Sequence, residues 1–588
     1  MRQRLSAVLL FSLFSLSHQS NNHTSHPQKL IFPGVGAFKS AIEHLQARGL
    51  FEPLQQYILS GRPYFGICIG LQVLFQSSTE NPGVQGLNII PCIIDRFDNS
   101  TKSVPHMGWN SIEFLDPEES PSSSSTESKE GIDEHSHYYF VHSYRAAYDP
   151  ENATDAAQWV HTTAQYGQEV FVASIRKGNV FGTQFHPEKS GPAGLSLLHA
   201  WLSKPTQEYE QLHSTNVVPA PTHTPAPARR PARPPKPTDG LTKRIIACMD
   251  VRANDDGDLV VTKGDQYDVR EKTTPTASSS SSSSIPSSST LPTKTAGAVR
   301  NLGKPVSLAS HYYAAGADEI CLLNITSFRH SPLHDQPMLA VVRSAAENVF
   351  VPLTIGGGIK DSVDPDGTPR SALDVAGAYF RAGADKVSIG SEAVYAVEKL
   401  LRASAGAGVS GVTKGDGTSA IETISNAYGR QAVVISVDPK RVYVDPDTYD
   451  GPYKDEVVKG SGEERGKAWW YQCTVSGGRE ARNLSVVQLC QGTEVLGAGE
   501  ILVNSIDRDG TGKGFDLDLI RLVRRSVSIP VVASSGAGSP AHFVDVFDKT
   551  GVEAALAAGI FHRGEVKIEA VKTVMKSANI NTRSVSLL

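Results

Sequence analysis

Phe65-Gly66-Ile67-Cys68-Ile69-Gly70-Leu71-Gln72 reads as a buried strand that runs into a tight turn and then a helix. Cys68 sits at the apex with a glycine two positions to either side, the spacing of a nucleophile elbow with sulfur in place of a hydroxyl. The glycines have a steric task, because an apex side chain on a strained turn needs neighbours without a Cβ. A helix that starts behind the cysteine favours thiolate and offers backbone N–H groups to an oxyanion. Taken alone, the same segment also fits an inert buried cysteine.

Further along, Phe185-His186-Pro187-Glu188-Lys189-Ser190-Gly191 follows a strand-like run that begins at Asn179. A thiol needs a base, and the base needs an orienting acid. His186 can take the thiol proton, Glu188 can hold the imidazole, and Pro187 stiffens the pair. On Cys68, His186 and Glu188 the chain resembles the class I glutamine amidotransferases. Leu30-Ile31-Phe32-Pro33-Gly34-Val35-Gly36-Ala37-Phe38, Pro105 to Asn110 and Tyr138 to Tyr144 are similar to the glutaminase part of the imidazole glycerol phosphate synthase family. The resemblance implies a flavodoxin-like open sheet, and a turn at Pro33, Gly34, Val35 and Gly36 that supplies oxyanion-hole backbone.

A chain of 588 residues exceeds one core. We divide it into residues 1–28, an amidotransferase domain at 29–204, a Pro-rich linker at 205–241, and a second domain at 242–588 with a low-complexity insert at 272–296. Hydrophobic content of 39% and charged content of 20% are those of a soluble globular protein, and a net charge of -5 excludes a nucleic-acid footprint. Six scattered cysteines form no CxxC pair, which argues against a zinc site or a disulfide framework, and no metal or cofactor is expected. Arg2 and Arg4 ahead of an apolar run to Leu16 resemble a secretory signal. The rest of the chain points to the cytoplasm, so a misplaced start is our reading of 1–28. The family's first strand and helix have no counterpart before Pro33, so a gap in the sheet is expected. Ser120 to Glu130 reads as a surface loop, and Pro219 to Pro237 as an extended spacer.

Beyond Thr242 short apolar strands alternate with helical stretches: Ile245–Val251, Glu319–Asn324, Pro352–Ile355, Lys386–Ile389, Ala432–Val437, Glu500–Asn504, Pro530–Ala533 and Ala554–Ala557. Eight such strands make a (β/α)8 barrel, and the whole chain α/β. The parts recur. Asp250 ends the first strand and Asp438 the fifth; glycine turns follow the third and seventh; Gly383 to Ser391 matches Gly551 to Gly559. Active sites of this fold lie at the C-terminal ends of the strands, where glycine turns present N–H groups to phosphate. Two facing carboxylates can divide acid and base roles there.

This half resembles the cyclase part of the same family, on Arg244 to Val251, Leu259 to Gly264, Gly383 to Ser391 and Ser505 to Gly510. The resemblance implies Asp250 and Asp438 as the general acid/base pair. It puts Lys263 on a loop that closes over substrate and Asp509 beside the substrate. One phosphate site is Gly358, Gly390 and Ser391; the other is Gly510, Gly536, Ala558 and Gly559. Ser535 stands where many relatives have glycine. Arg244, Glu319, Lys386 and Glu500 begin strands 1, 2, 4 and 6. Each alone reads as a solvated charge; by resemblance they form a ring, the gate through which ammonia enters. The expected protein is a bifunctional monomer without a membrane or nucleic-acid partner, its domains docked on each other. Its partners are glutamine and a bis-phosphorylated aminoimidazole carboxamide ribonucleotide. The rival readings are a cyclase that uses only external ammonia, and a non-catalytic secreted or scaffold protein.

Overall fold

A computed structural model describes residues 29–115, 131–205, 230–253, 259–262, 303–325, 337–364, 366–403 and 414–584. Residues 1–28, the serine insert, residues 206–229 of the linker, Lys263 and the low-complexity insert lie outside them.

The first unit is built on β1 (Leu30–Phe32), β2 (Tyr64–Ile67), β3 (Glu113–Phe114), β4 (Val160–Tyr166), β5 (Glu169–Lys177) and β6 (Val180–Thr183). They form one sheet in the order β1-β2-β6-β5-β4-β3, parallel from β1 through β6 and antiparallel beyond. The expected gap is not seen among the described residues: the strands are contiguous, and β1 ends the row. The helical stretch expected over 40–60 is two helices, α1 (Phe38–Ala47) and α2 (Phe51–Leu59). Gly49 breaks it with φ 63°, a conformation that favours glycine. A separate pair of strands, His106–Asn110 against Tyr138–His142, lies on the side facing the second unit.

The second unit is a closed parallel barrel. Its strands are β7 (Arg244–Ala253), β8 (Glu319–Asn324), β9 (Leu353–Gly356), β10 (Lys386–Ile389), β11 (Val433–Val437), β12 (Glu500–Asn504), β13 (Val531–Ser534) and β14 (Ala554–Ala557). Each pairs with the next, and β14 pairs back to β7. Several outer helices start and stop on local signals. Ser371, Ser419 and Ser485 each open one with a capping box; Gly383 and Gly497 close the helices that Ser371 and Ser485 open, and Gly551 closes a further one, all three in the left-handed conformation.

Strand alternation sorts the barrel into two layers. Ile245, Ala247, Met249 and Val251 of β7 join the large core under the helices, whereas Ile246 and Cys248 join a small inner cluster with Cys321, Val434, Leu502, Val532, Ala554 and Leu556. By the same parity Arg244 and Asp250 belong to the inner face, Arg244 at the start of the strand and Asp250 toward its other end.

The linker is less of a free spacer than its composition suggests. Its last residues are fastened to the first unit. Tyr148 Oη donates to the Pro231 carbonyl at 2.6 Å, the Gln165 side chain pairs with both backbone groups of Lys236 at 2.8 Å, and Gly167 N–H reaches Asp239 at 2.7 Å.

Candidate active sites

Cys68 follows β2 and precedes α3 (Ile69–Gln72), with φ 52° and ψ -104°. A non-glycine residue there is strained, as an elbow requires. Both flanking glycines are sterically obligatory. A Cβ on Gly66 would lie 2.4 Å from the Gly70 carbonyl oxygen, and one on Gly70 would lie 1.9 Å from that of Phe32. The helix behind Cys68 is a single turn, shorter than expected, so what it contributes is mainly backbone N–H groups. The Pro33–Gly36 turn packs beside it; a Cβ on Gly34 would meet Ile69 Cγ2 at 2.5 Å.

His186 is 2% exposed. Its Nδ1 lies 2.8 Å from Glu188 Oε1, so that nitrogen carries the proton and Nε2 is the basic one. Burial alone depresses the imidazole pKa. The Glu188 carboxylate, and after it Cys68, outweigh burial and raise it well above its ordinary value. Nε2 itself is buried and makes no hydrogen bond of ordinary geometry.

The backbone of His186 donates to the Tyr139 carbonyl at 2.8 Å, and Tyr139 adjoins the charges at the barrel's underside. Arg244 binds Glu319 at 2.8 Å and also Glu500; Lys386 binds Glu319 and Glu500, each at 2.7 Å. The expectation that any one of these charges is solvated fails, since all four are at most 2% exposed. Their alternation lets each cation face two anions, so the buried ring is neutral. The first unit docks on this face. Lys386 Nζ touches Met107 Sδ at 3.6 Å, Trp109 Nε1 donates to the Asp318 carbonyl at 3.1 Å, and Lys189 pairs with Asp385.

At the opposite mouth Asn504 Nδ2 donates to Asp438 Oδ1 at 2.9 Å. Burial raises the Asp438 pKa, and Asp509 adds a like charge that raises it further. Asp250 lies toward the far end of β7's pairing with β8, in register with Leu323, but it does not end the strand as the sequence suggested: β7 runs on to Ala253, paired antiparallel with Leu259–Thr262. The two glycine turns share one backbone form: Gly357 and Gly358 after β9 have φ 89° and 77°, and Ser535 and Gly536 after β13 have φ 72° and 92°. Ser391 Oγ accepts from Ser476 N–H at 3.0 Å, while Gly390 and Gly510 face open space. Ala558 and Gly559 form the turn into a short helix after β14.

The family description Glutamine amidotransferase class-I matches residues 11–204, and Histidine biosynthesis protein matches residues 244–415 and 394–567. The second description matches twice, as the half-barrel repeat does. Imidazole glycerol phosphate synthase hisHF of Emericella nidulans is 50% identical over 558 residues, 95% of this chain and 92% of its own. The chain belongs to the imidazole glycerol phosphate synthase hisHF family. The Schizosaccharomyces pombe hisHF is 50% identical over 94% of this chain and 92% of its own, and the chloroplastic hisHF of Arabidopsis thaliana 49% identical over 94% and 83%. Subunit HisF of Haloquadratum walsbyi is 36% identical over 58% of this chain and 100% of its own.

In this hisHF family member several further residues reach the sites only through the fold. Gln72 and Gln184 lie beside Cys68, Asn504 holds Asp438, and Tyr139 and Met107 meet the charge ring. Gln72 had a local signal, one helical turn after Cys68 on the same face. Met107 and Tyr139 lie in stretches that carry the family resemblance, but nothing local points to the charge ring, because their partners belong to the other unit.

Proposed function

We propose that this bifunctional glutamine amidotransferase and cyclase of histidine biosynthesis hands ammonia internally from one unit to the other. Cys68, deprotonated by His186, attacks the side-chain amide carbon of glutamine. Glu188 holds the imidazole, and the Pro33–Gly36 turn steadies the oxyanion. The C–N bond breaks, His186 protonates the leaving nitrogen, and ammonia departs. Water then hydrolyses the glutamyl thioester to glutamate. Ammonia enters the barrel past Arg244, Glu319, Lys386 and Glu500 and crosses the apolar inner layer, where no water protonates it.

At the far mouth ammonia attacks the phosphoribulosyl-formimino-aminoimidazole carboxamide ribotide. Asp250 and Asp438 move protons during cleavage and ring closure, which yield imidazole glycerol phosphate and the aminoimidazole carboxamide ribotide. The raised pKa of Asp438 suits a carboxyl that holds a proton part of the time. Gly358, Gly390 and Ser391 hold one phosphate; Gly510, Gly536, Ala558 and Gly559 hold the other. Asp509 stands beside the substrate, and Lys263, outside the described residues, belongs to the loop that the family resemblance expects to close over it. Phosphate metabolism and a reactive thiol favour the cytoplasm, and a monomer suffices because one chain carries both sites. No helix among the described residues is long and apolar enough to cross a membrane.

One observation carries this reading: the unit bearing Cys68 is seated on the strand-start face of the barrel, opposite the aspartates. Cys68→Ala is expected to abolish turnover with glutamine and leave turnover with ammonium salts intact. Equal loss with both donors would overturn internal transfer. Glutamine-independent activity in the wild-type chain, with none from glutamine, would favour the ammonia-only alternative.

A further inference from the structure

We infer that Gln184 is a further catalytic residue of the glutaminase, an N–H donor to the reacting sulfur that Gln72 orients; the inference rests on Cys68 being the nucleophile. Gln184 Nε2 lies 3.6 Å from Cys68 Sγ. Its Oε1 accepts from Gln72 Nε2 at 2.9 Å, and Gln72 Nε2 also donates to the Tyr144 carbonyl at 3.1 Å. All three side chains are buried, Gln184 at 1% exposure and Cys68 and Gln72 at 6%.

The direction of the chain follows from what each atom can do. The Tyr144 carbonyl can only accept, so it draws the amide nitrogen of Gln72 toward itself. That NH2 spends its second hydrogen on Gln184, which must therefore present oxygen to Gln72 and nitrogen to sulfur. Turned over, Gln184 would set two donors together and oxygen lone pairs against the thiolate. The sulfur then has a donor from Gln184 while the His186 side retains the proton it removed. A donor to an ionised partner is stronger than a neutral hydrogen bond, so Gln184 favours the thiolate selectively over the thiol. Gln72 acts through Gln184 and is a positioning residue.

The test is alkylation of Cys68 in the full-length protein by iodoacetamide across pH, followed by mass spectrometry, together with kcat and KM for glutamine. For Gln184→Leu we expect alkylation about tenfold slower near neutrality, with the pH midpoint displaced upward and rates converging in alkali. The kcat should fall by a similar factor with little change in KM. The isosteric Gln184→Glu replaces a donor by an anion and should be slower still. Ammonium-dependent cyclase turnover, unchanged in both, reports that the protein is folded. If Gln184→Leu fails that control, Gln184→Glu alone decides. An alkylation profile that coincides with wild type in a folded variant overturns the inference. If Cys68→Ala still hydrolyses glutamine, the nucleophile assignment fails instead, whatever the Gln184 variants do.

Discussion

Single residues carry charge states that their surroundings dictate. His106 and His142 are a buried pair in the first unit. Asn110 donates to His106 Nε2 at 3.1 Å, so His106 Nδ1 donates to His142 Nε2 at 3.1 Å and His142 Nδ1 donates to the Tyr144 carbonyl at 2.8 Å. Each imidazole is neutral and uses both nitrogens. Burial lowers the His142 pKa from 6.5 to about 3, and that of His106 well below its ordinary value. In the unfolded chain both take a proton below about 6.5. Their contribution to stability is therefore full above that pH and is lost as pH falls toward the folded values. We expect the urea midpoint of the first unit to drop between about pH 7 and pH 5, and His142→Asn to flatten that slope. Asp438 has the opposite shift. On its proposed role as a proton carrier, Asp438→Asn should cut cyclase turnover by roughly 10²–10⁴ with either nitrogen donor. Steady-state rates with glutamine and with ammonium check this; a loss confined to glutamine would contradict it. At Ser535, φ 72° costs an L-residue about 1–2 kcal/mol, against about 0.4–1 kcal/mol for the extra freedom of an unfolded glycine. Ser535→Gly should therefore raise thermal stability slightly, as scanning calorimetry can measure.

At the scale of elements, the starts of β7, β8, β10 and β12 share one device. Strand ends at a barrel's closed face usually meet water, and a lone charge buried there would be ruinous. Here two cations and two anions alternate, and Thr354 adds a hydroxyl to Glu319 at 2.5 Å. Burial works to raise the Glu500 pKa, but Arg244 and Lys386 outweigh it and hold it below 4.5. The stabilisation from Glu500 is thus present above that value and disappears as pH falls through the lowered one. Such rings are poor stabilisers as a whole, yet breaking one is expensive. We predict that Lys386→Met destabilises the protein by about 3–5 kcal/mol, read from urea unfolding, because two buried carboxylates then share one arginine. A change under about 1 kcal/mol would show that water already reaches the ring.

For the whole molecule, the question is what holds the two units in register. The contact mixes a shared apolar core with buried polar links. Met107, Trp109, Tyr139 and Val141 join the barrel's own cluster, and Ser103 Oγ donates to Glu553 at 2.7 Å. Arg583 stacks over Trp109 at 4.2 Å and also binds Asp318 at 2.7 Å, so the C-terminal segment clamps the interface from the barrel side. We expect these contacts, more than the covalent link, to keep the units docked. A protease site engineered within residues 206–229 should, once cut, leave both halves co-eluting on size exclusion with glutamine-dependent activity retained. Separation of the halves would mean that the linker, and not the interface, maintains the docked state.

Much of this protein was legible along the chain. The strand bounds Glu319–Asn324, Lys386–Ile389, Glu500–Asn504 and Ala554–Ala557 coincide with those read from apolar runs. The elbow at Cys68, the pairing of His186 with Glu188 two residues on, and the doubled glycine turns are local too. Such features depend on backbone sterics and on neighbours a few residues apart, which sequence states directly. The sealing of the charge ring, the pairing of Lys189 with Asp385 and the contact of Gln184 with Cys68 depend on segments far apart in the chain. Whether a charge is solvated or buried, and which way an amide or imidazole points, is decided by the sum of groups around it. Only folding assembles that sum, so the tertiary structure alone could settle it.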